Sequence, residues 1–256
     1  MSAQIEVSMP TSCAEAKRIF ADAGEITVVG GATIVMPDLC FGRLAPKHVM
    51  LLTRAGMDRI DRDGVRLHIG AATPLGRLTA TPEPLASAVA NIADPEIRAQ
   101  ATIGGNVCTR AGGGVPRGDL QGPLIALGAT VHWTDGSGEH VDGIEEFLRD
   151  ANDRRLVLAL EVEVPERGAF VALRRPHAHG YTPLAVSAAV LGGELRLAAT
   201  GLAPHGVRLR SAEDPTPVSG CPLEPSSDAI ASAWYRREML PVLVTRCLAK
   251  IGIERP

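Results

Sequence analysis

Aromatic residues are scarce: two Trp, two Tyr and four Phe make up only 3% of the 256 residues. That argues against a surface that reads single-stranded nucleic acid by base stacking. An excess of positive charge is missing too, since 26 Lys and Arg stand against 29 Asp and Glu for a net charge of −3. A duplex partner would need a basic surface to neutralise phosphates. No apolar run approaches the roughly 20 residues that cross a bilayer. Met1 to Pro10 has neither a cationic start nor an apolar stretch of the kind that directs secretion. The expectation is a cytoplasmic protein with no nucleic-acid partner and no membrane span. The cysteines, Cys13, Cys40, Cys108, Cys221 and Cys247, are odd in number and form no C-x-x-C pair. A disulfide framework and a self-contained zinc or iron–sulfur site are thereby disfavoured, and reduced structural thiols are the default.

Familiar chemical signatures are absent as well. There is no G-x-G-x-x-G after a strand and no G-x-x-x-x-G-K, so neither the usual dinucleotide fingerprint nor a P-loop is present. H-E-x-x-H and G-x-S-x-G do not occur. His177 and His179 lack a third partner for a metal and read as a polar loop. Glu145 and Glu146 read as a solvated helix surface. No acid, base or nucleophile stands out, which suits a protein whose bound cofactor performs the chemistry.

What the chain does have is glycine in pairs. Thr102-Ile103-Gly104-Gly105-Asn106 is too glycine-rich for a stable helix or strand interior, so the expectation is a loop valued for its backbone. Gly30 and Gly31, with Thr33 two residues on, follow the apolar run Ile26 to Val29. Two such loops, each able to bring N–H groups close to an anion, suggest a cradle for a diphosphate. Arg98, just before the second loop, would reach a phosphate or pair with Asp94 or Glu96. Cys108 would pack or border the cofactor, and Arg110 to Arg117, with Gly112, Gly113 and Gly114 in a row, reads as a surface loop.

Around these loops the periodicity predicts mixed helix and sheet. Ser12 and Glu15 form a capping-box signature, and Ala16, Ile19, Phe20 and Ala23 share a helical face. Ile26 to Val29 and Val49 to Thr53 read as strands, and Val65, Leu67 and Ile69 alternate against Arg66 and His68. Leu85 to Ala93 reads as a helix, and Leu120 to Leu127 as another ending at Gly128 before a strand to Thr134. Leu156 to Val164 forms a long strand closed by Pro165. Beyond it, Ala185 to Leu191 and Glu194 to Thr200 flank the turn pair Gly192-Gly193. Glu213 to Pro225 reads as a linker. A helix capped by Ser227 or Asp228 runs to Arg237, and a second restarts at Pro241 with Leu243, Cys247 and Ile251 on one face.

In order along the chain, these features resemble the flavin-binding (medium) subunit of the molybdenum hydroxylases, the family of carbon monoxide dehydrogenase and of the FAD domain of xanthine dehydrogenase. The resemblance is carried by Val29-Gly30-Gly31-Ala32-Thr33-Ile34, Leu67 to Thr73, Ile97-Arg98 and Ala101 to Asn106. It continues through Asp119, Pro123 to Ala129, and Tyr235 to Arg246. It implies an α+β chain: a two-part FAD-binding domain over 1–166 (about 1–55 and 56–166), then a small domain over 167–256 with antiparallel sheet and helices. It also implies FAD held by residues 29–34 and 102–106, with Asp119 on its polar portion and Tyr181 near the flavin ring. Partners would be a large molybdopterin-binding subunit and a small iron–sulfur subunit, and the final acceptor NAD, a quinone or oxygen. Ala99 departs from the family pattern, where Asn usually follows the Arg. The interval between Asn106 and Asp119 is longer than usual, so a scaffold subunit without FAD is the alternative.

Overall fold

The computed structural model describes residues 5–109, 118–150, 154–175, 177, 180–216, 225 and 227–253. The expected surface loop at Arg110 to Arg117, His179, and residues 217–224 of the expected linker lie outside them.

The chain begins with a parallel three-stranded layer. β1 (Glu6–Ser8), β2 (Thr27–Val29) and β3 (His48–Leu51) pair in the order β1-β3-β2, with α1 (Cys13–Asp22) and α2 (Val35–Cys40) in the connections. The expected cap on α1 is present: Ser12 Oγ accepts the Glu15 N–H at 3.1 Å. The Glu15 carboxylate returns to the Thr11 N–H and hydroxyl, both at 2.8 Å, one residue earlier than a standard capping box. Those two bonds hold its pKa below the usual range. Ala16 and Phe20 carry the buried face.

A five-stranded antiparallel sheet follows. Its strands are β4 (Ile60–Asp63), β5 (Arg66–Gly70), β6 (Thr130–Thr134), β7 (Glu139–Gly143) and β8 (Leu156–Glu163), in the order β4-β5-β8-β6-β7. Leu67 and Ile69 are buried as their alternation predicts. Val65 departs from it, 57% exposed, because the strand starts only at Arg66 and Val65 follows Gly64, whose φ of +57° turns the chain. The second glycine stretch is also corrected. It is not a loop but α5 (Ile103–Cys108), with Thr102 as its N-cap. The cap offsets part of the roughly 1 kcal/mol that each helical glycine costs relative to alanine. Gly104 is there for proximity, since a Cβ on it would lie 2.9 Å from the Ala71 carbonyl oxygen.

Four further strands form the last sheet, in the order β12-β11-β10-β9: β9 (Arg167–Ala172), β10 (Ala185–Leu191), β11 (Glu194–Thr200) and β12 (Val207–Leu209). The hairpin forms as expected, with Gly192 and Gly193 at φ +58° and +79°. α8 (Ala233–Lys250) packs on β9 and β10, while α6 (Gln121–Ala126) packs on β10 to β12. All seven residues of β10 are consequently buried. The expected break at Pro241 does not occur. α8 starts from Ser232, not Ser227 or Asp228, and runs unbroken through the proline, because Leu240, Leu243, Val244 and Cys247 bury one continuous face across it.

Candidate cofactor site

The first glycine loop leaves β2 and turns into α2. Ala32 sits at φ +61°, a left-handed conformation that costs a non-glycine residue about 1 kcal/mol or more. Among the described residues, the N–H groups of Gly30, Gly31, Ala32, Thr33 and Ile34 make no hydrogen bond within the chain. Runs of backbone N–H groups around a left-handed residue form anion-binding concavities.

α5 faces this loop with its own amides already committed. Ile103 N–H donates to Thr73 O at 3.1 Å, Gly104 N–H to Ala71 O at 2.9 Å, and Gly105 N–H to Thr102 Oγ1 at 3.3 Å. What α5 presents are side chains and shape. Asn106 Oδ1 accepts the Leu120 N–H at 2.9 Å, which assigns the other end of its amide as a donor. The two elements touch closely: a Cβ on Gly30 would overlap Thr102 Oγ1, and one on Gly31 would overlap the Gln100 carbonyl oxygen. Here glycine is required by the close approach.

Three adjoining cavities run along this seam. The middle one, about 430 Å³, is lined by Gly30, Gly31, Ala32, Thr33, Ile34, Thr102, Gly105 and Asn106 with Asp38, whose charge is met by Arg43 at 2.7 Å. Among the described residues, no Lys or Arg lines it. On one side, a mainly apolar cavity of about 470 Å³ shares Gly30, Thr102 and Gly105 and extends to Phe20, Ile26, Leu52 and Leu156. On the other, one of about 170 Å³ shares Thr33, Ile34 and Asn106 and reaches Asp119, Tyr181, Arg175 and Asn91. Together they make a groove with an apolar end, an amide-lined middle and a polar end.

Of the residues expected at the site, Gly30, Gly31, Ala32, Thr33, Ile34, Thr102, Gly104, Gly105, Asn106, Asp119 and Tyr181 line this groove. Val29 and Ile103 are buried and line none of the three cavities. Cys108 borders two of the cavities and is exposed. Arg98 takes neither expected role. Its guanidinium donates to Ile92 O at 2.6 Å and Ala93 O at 3.0 Å, where Arg175 also donates to Ala93 O at 3.2 Å. The reason is local: Ala93 at φ +43° turns its carbonyl and that of Ile92 toward the two arginines. Ala99 is exposed on α4 (Pro95–Gln100) and lines none of the three cavities.

The apolar end was not legible in the sequence. Arg154 helps to shape it by donating to Phe20 O and Gly24 O, each at 2.7 Å, with its guanidinium 4.7 Å above the Phe20 ring.

A long groove with an anion-ready middle marks a protein of the dinucleotide-holding kind, built without the usual fingerprint. The chain belongs to the family described as the FAD binding domain in molybdopterin dehydrogenase, whose model matches residues 3–167. FAD is accordingly its cofactor. The chain is 27% identical over 278 residues to the carbon monoxide dehydrogenase medium chain of Afipia carboxidovorans, covering 94% of both. It is also 27% identical to the glyceraldehyde dehydrogenase medium chain of Sulfolobus acidocaldarius, covering 64% of this chain and 66% of that one. Carbon monoxide dehydrogenase from Hydrogenophaga pseudoflava and quinoline 2-oxidoreductase from Pseudomonas putida 86 share the fold over 98% of each chain. Their TM-scores are both 0.81, at 21% and 18% identity. The amides of Gly30 to Ile34, unpaired among the described residues, and the close glycine contacts fit an FAD.

Proposed function

We propose that this chain is the flavoprotein subunit of a molybdenum hydroxylase complex. Its role is to take electrons from iron–sulfur clusters on a small partner subunit and pass them to an external acceptor such as NAD, a quinone or oxygen. Substrate oxidation takes place on a large molybdopterin-binding subunit, so the groove itself needs no residue poised for proton transfer or nucleophilic attack. Bound FAD supplies the two-electron to one-electron redox chemistry. The chain's residues bind it, orient it and exclude water.

The observation that carries this reading is the row of N–H groups from Gly30 to Ile34, unpaired among the described residues, in a loop that lines the middle cavity together with Thr102 and Asn106. These amides receive the diphosphate, with the Thr33 and Thr102 hydroxyls and the Asn106 amide as side-chain partners. Backbone donors suit this task because they hold a doubly anionic group without a charged side chain that would compete for it. Asp119 and Tyr181 at the polar end border the flavin portion, and the apolar cavity beside Phe20 and Leu52 takes the adenine.

The test is the visible absorption spectrum of the purified chain, with the cofactor released by denaturation and identified by chromatography. About one FAD per chain is expected. A colourless chain that takes up no added FAD would sink the reading and favour a scaffold role. Of the two features that motivate that alternative, Ala99 lies outside the lining, and the interval after Asn106 falls largely outside the described residues.

A further inference from the structure

Gln121 is a polar side chain only 1% exposed, at the start of α6. Its amide nitrogen donates to Val107 O at 2.9 Å and Thr109 O at 2.8 Å, at the C-terminal end of α5. Its carbonyl oxygen accepts the Gly206 N–H at 2.8 Å, from the turn before β12. The two carbonyls and one N–H fix which end of the carboxamide is which. Both flanks are built around it: a Cβ on Gly118 would lie 2.5 Å from its amide nitrogen, and one on Gly206 would lie 2.7 Å from its Cβ. Next to it, Thr200 Oγ1 on β11 accepts the Gly122 N–H at 3.1 Å and donates to Asp119 O at 3.4 Å.

The geometry points to Gln121 as a positioning residue that makes FAD retention depend on the C-terminal sheet. It does not reach the groove. It acts through Asn106, which lies one residue before the Val107 carbonyl that Gln121 holds and takes its orientation from the N–H of Leu120, the residue before Gln121. Moving Gln121 shifts both Leu120, whose N–H anchors the Asn106 side chain, and the backbone that follows Asn106. A buried carboxamide with every bond made locks one arrangement, and one left partly unpaired does not. The inference rests on the proposed FAD reading of the groove.

The test is an FAD titration of the full-length apo chain, followed by quenching of flavin fluorescence, for the parent, Gln121→Glu, Thr200→Val and Asn106→Ala. Gln121→Glu keeps the acceptor for Gly206 but loses both donors. The expected result is at least a tenfold rise in Kd for Gln121→Glu, about 1.4 kcal/mol, and a smaller rise for Thr200→Val. In the Asn106→Ala background, Gln121→Glu should change Kd by less than about twofold, because the path through Asn106 is already gone. A merely structural role would raise the apparent Kd equally in both backgrounds, through loss of folded protein, which the melting temperature of each variant reports. If Gln121→Glu does not fold, the same comparison is read from Thr200→Val with and without Asn106→Ala. Parent-like affinity in the folded Gln121 variant, or in Thr200→Val where that variant stands in, or an equal loss in both backgrounds, would overturn the inference while leaving the FAD reading intact. A parent chain with no affinity for FAD would overturn both.

Discussion

The two glycine pairs look alike in sequence and do opposite things in the fold. Gly30 and Gly31 stand in a turn whose amides have no partner among the described residues, whereas Gly104 and Gly105 stand in a helix whose first amides are engaged by Thr73, Ala71 and Thr102. The first pair offers donors and the second offers proximity. A Gly-Gly signature therefore marks a place where backbone comes close to something; whether that something is a ligand or the protein itself depends on where the N–H groups go.

The contrast can be broken most sharply at Gly31. A side chain there meets the Gln100 carbonyl, so Gly31→Val should push the loop off α5's approach and abolish FAD retention. The ratio of flavin to protein absorbance after purification, with circular dichroism as a control for folding, measures this. Gly104→Ala should instead act on stability, by about 1–3 kcal/mol through overpacking against Ala71, with FAD affinity of the folded fraction within about threefold of the parent. Denaturant unfolding of the apo chain read beside a flavin titration separates the two effects, and a reversal of their order would break the comparison. Thr102→Val removes the hydroxyl that caps α5 and should cost about 1 kcal/mol, visible as a lower denaturant midpoint.

The smallest effect is a rate. At pH 8 Cys40 and Cys108, both exposed, should react with a maleimide, and added FAD should slow Cys108, which lines the groove, while leaving Cys40 unchanged. Cys247 serves as the internal control. Burial pushes its thiol up to about 12 from 9.0, so it stays protonated and reacts only on unfolding. The sign of its pH linkage follows: its contribution to stability is intact below about pH 9, where the unfolded thiol is also neutral, and is lost as pH rises toward 12.

Legibility from the sequence followed the range of the interactions. The Ser12 cap, the Gly192-Gly193 hairpin and the alternation of Leu67 and Ile69 were readable because each depends on neighbours within a few residues. Helix formation at Ile103 to Cys108 was not, since it rests on Ala71 and Thr73 some thirty positions away, and the same holds for the unbroken α8, carried past Pro241 by the sheet beneath it. Much of the groove lining was visible through the resemblance, because the glycine pairs and Asn106 recur as a motif. Phe20, Leu52, Arg154 and Leu156 carry no local mark. They meet at one cavity only after three separate stretches of chain have folded onto each other.

The row of unpaired amides from Gly30 to Ile34 also bears on how the protein is made. Among the described residues these groups have no acceptor, and bound FAD would supply one. Cofactor supply then acts as a folding partner: FAD at 100 times its Kd adds about 2.7 kcal/mol to the native state. A cell short of riboflavin would lose this chain first as yield rather than as catalytic rate, through proteolysis of molecules that never closed their groove.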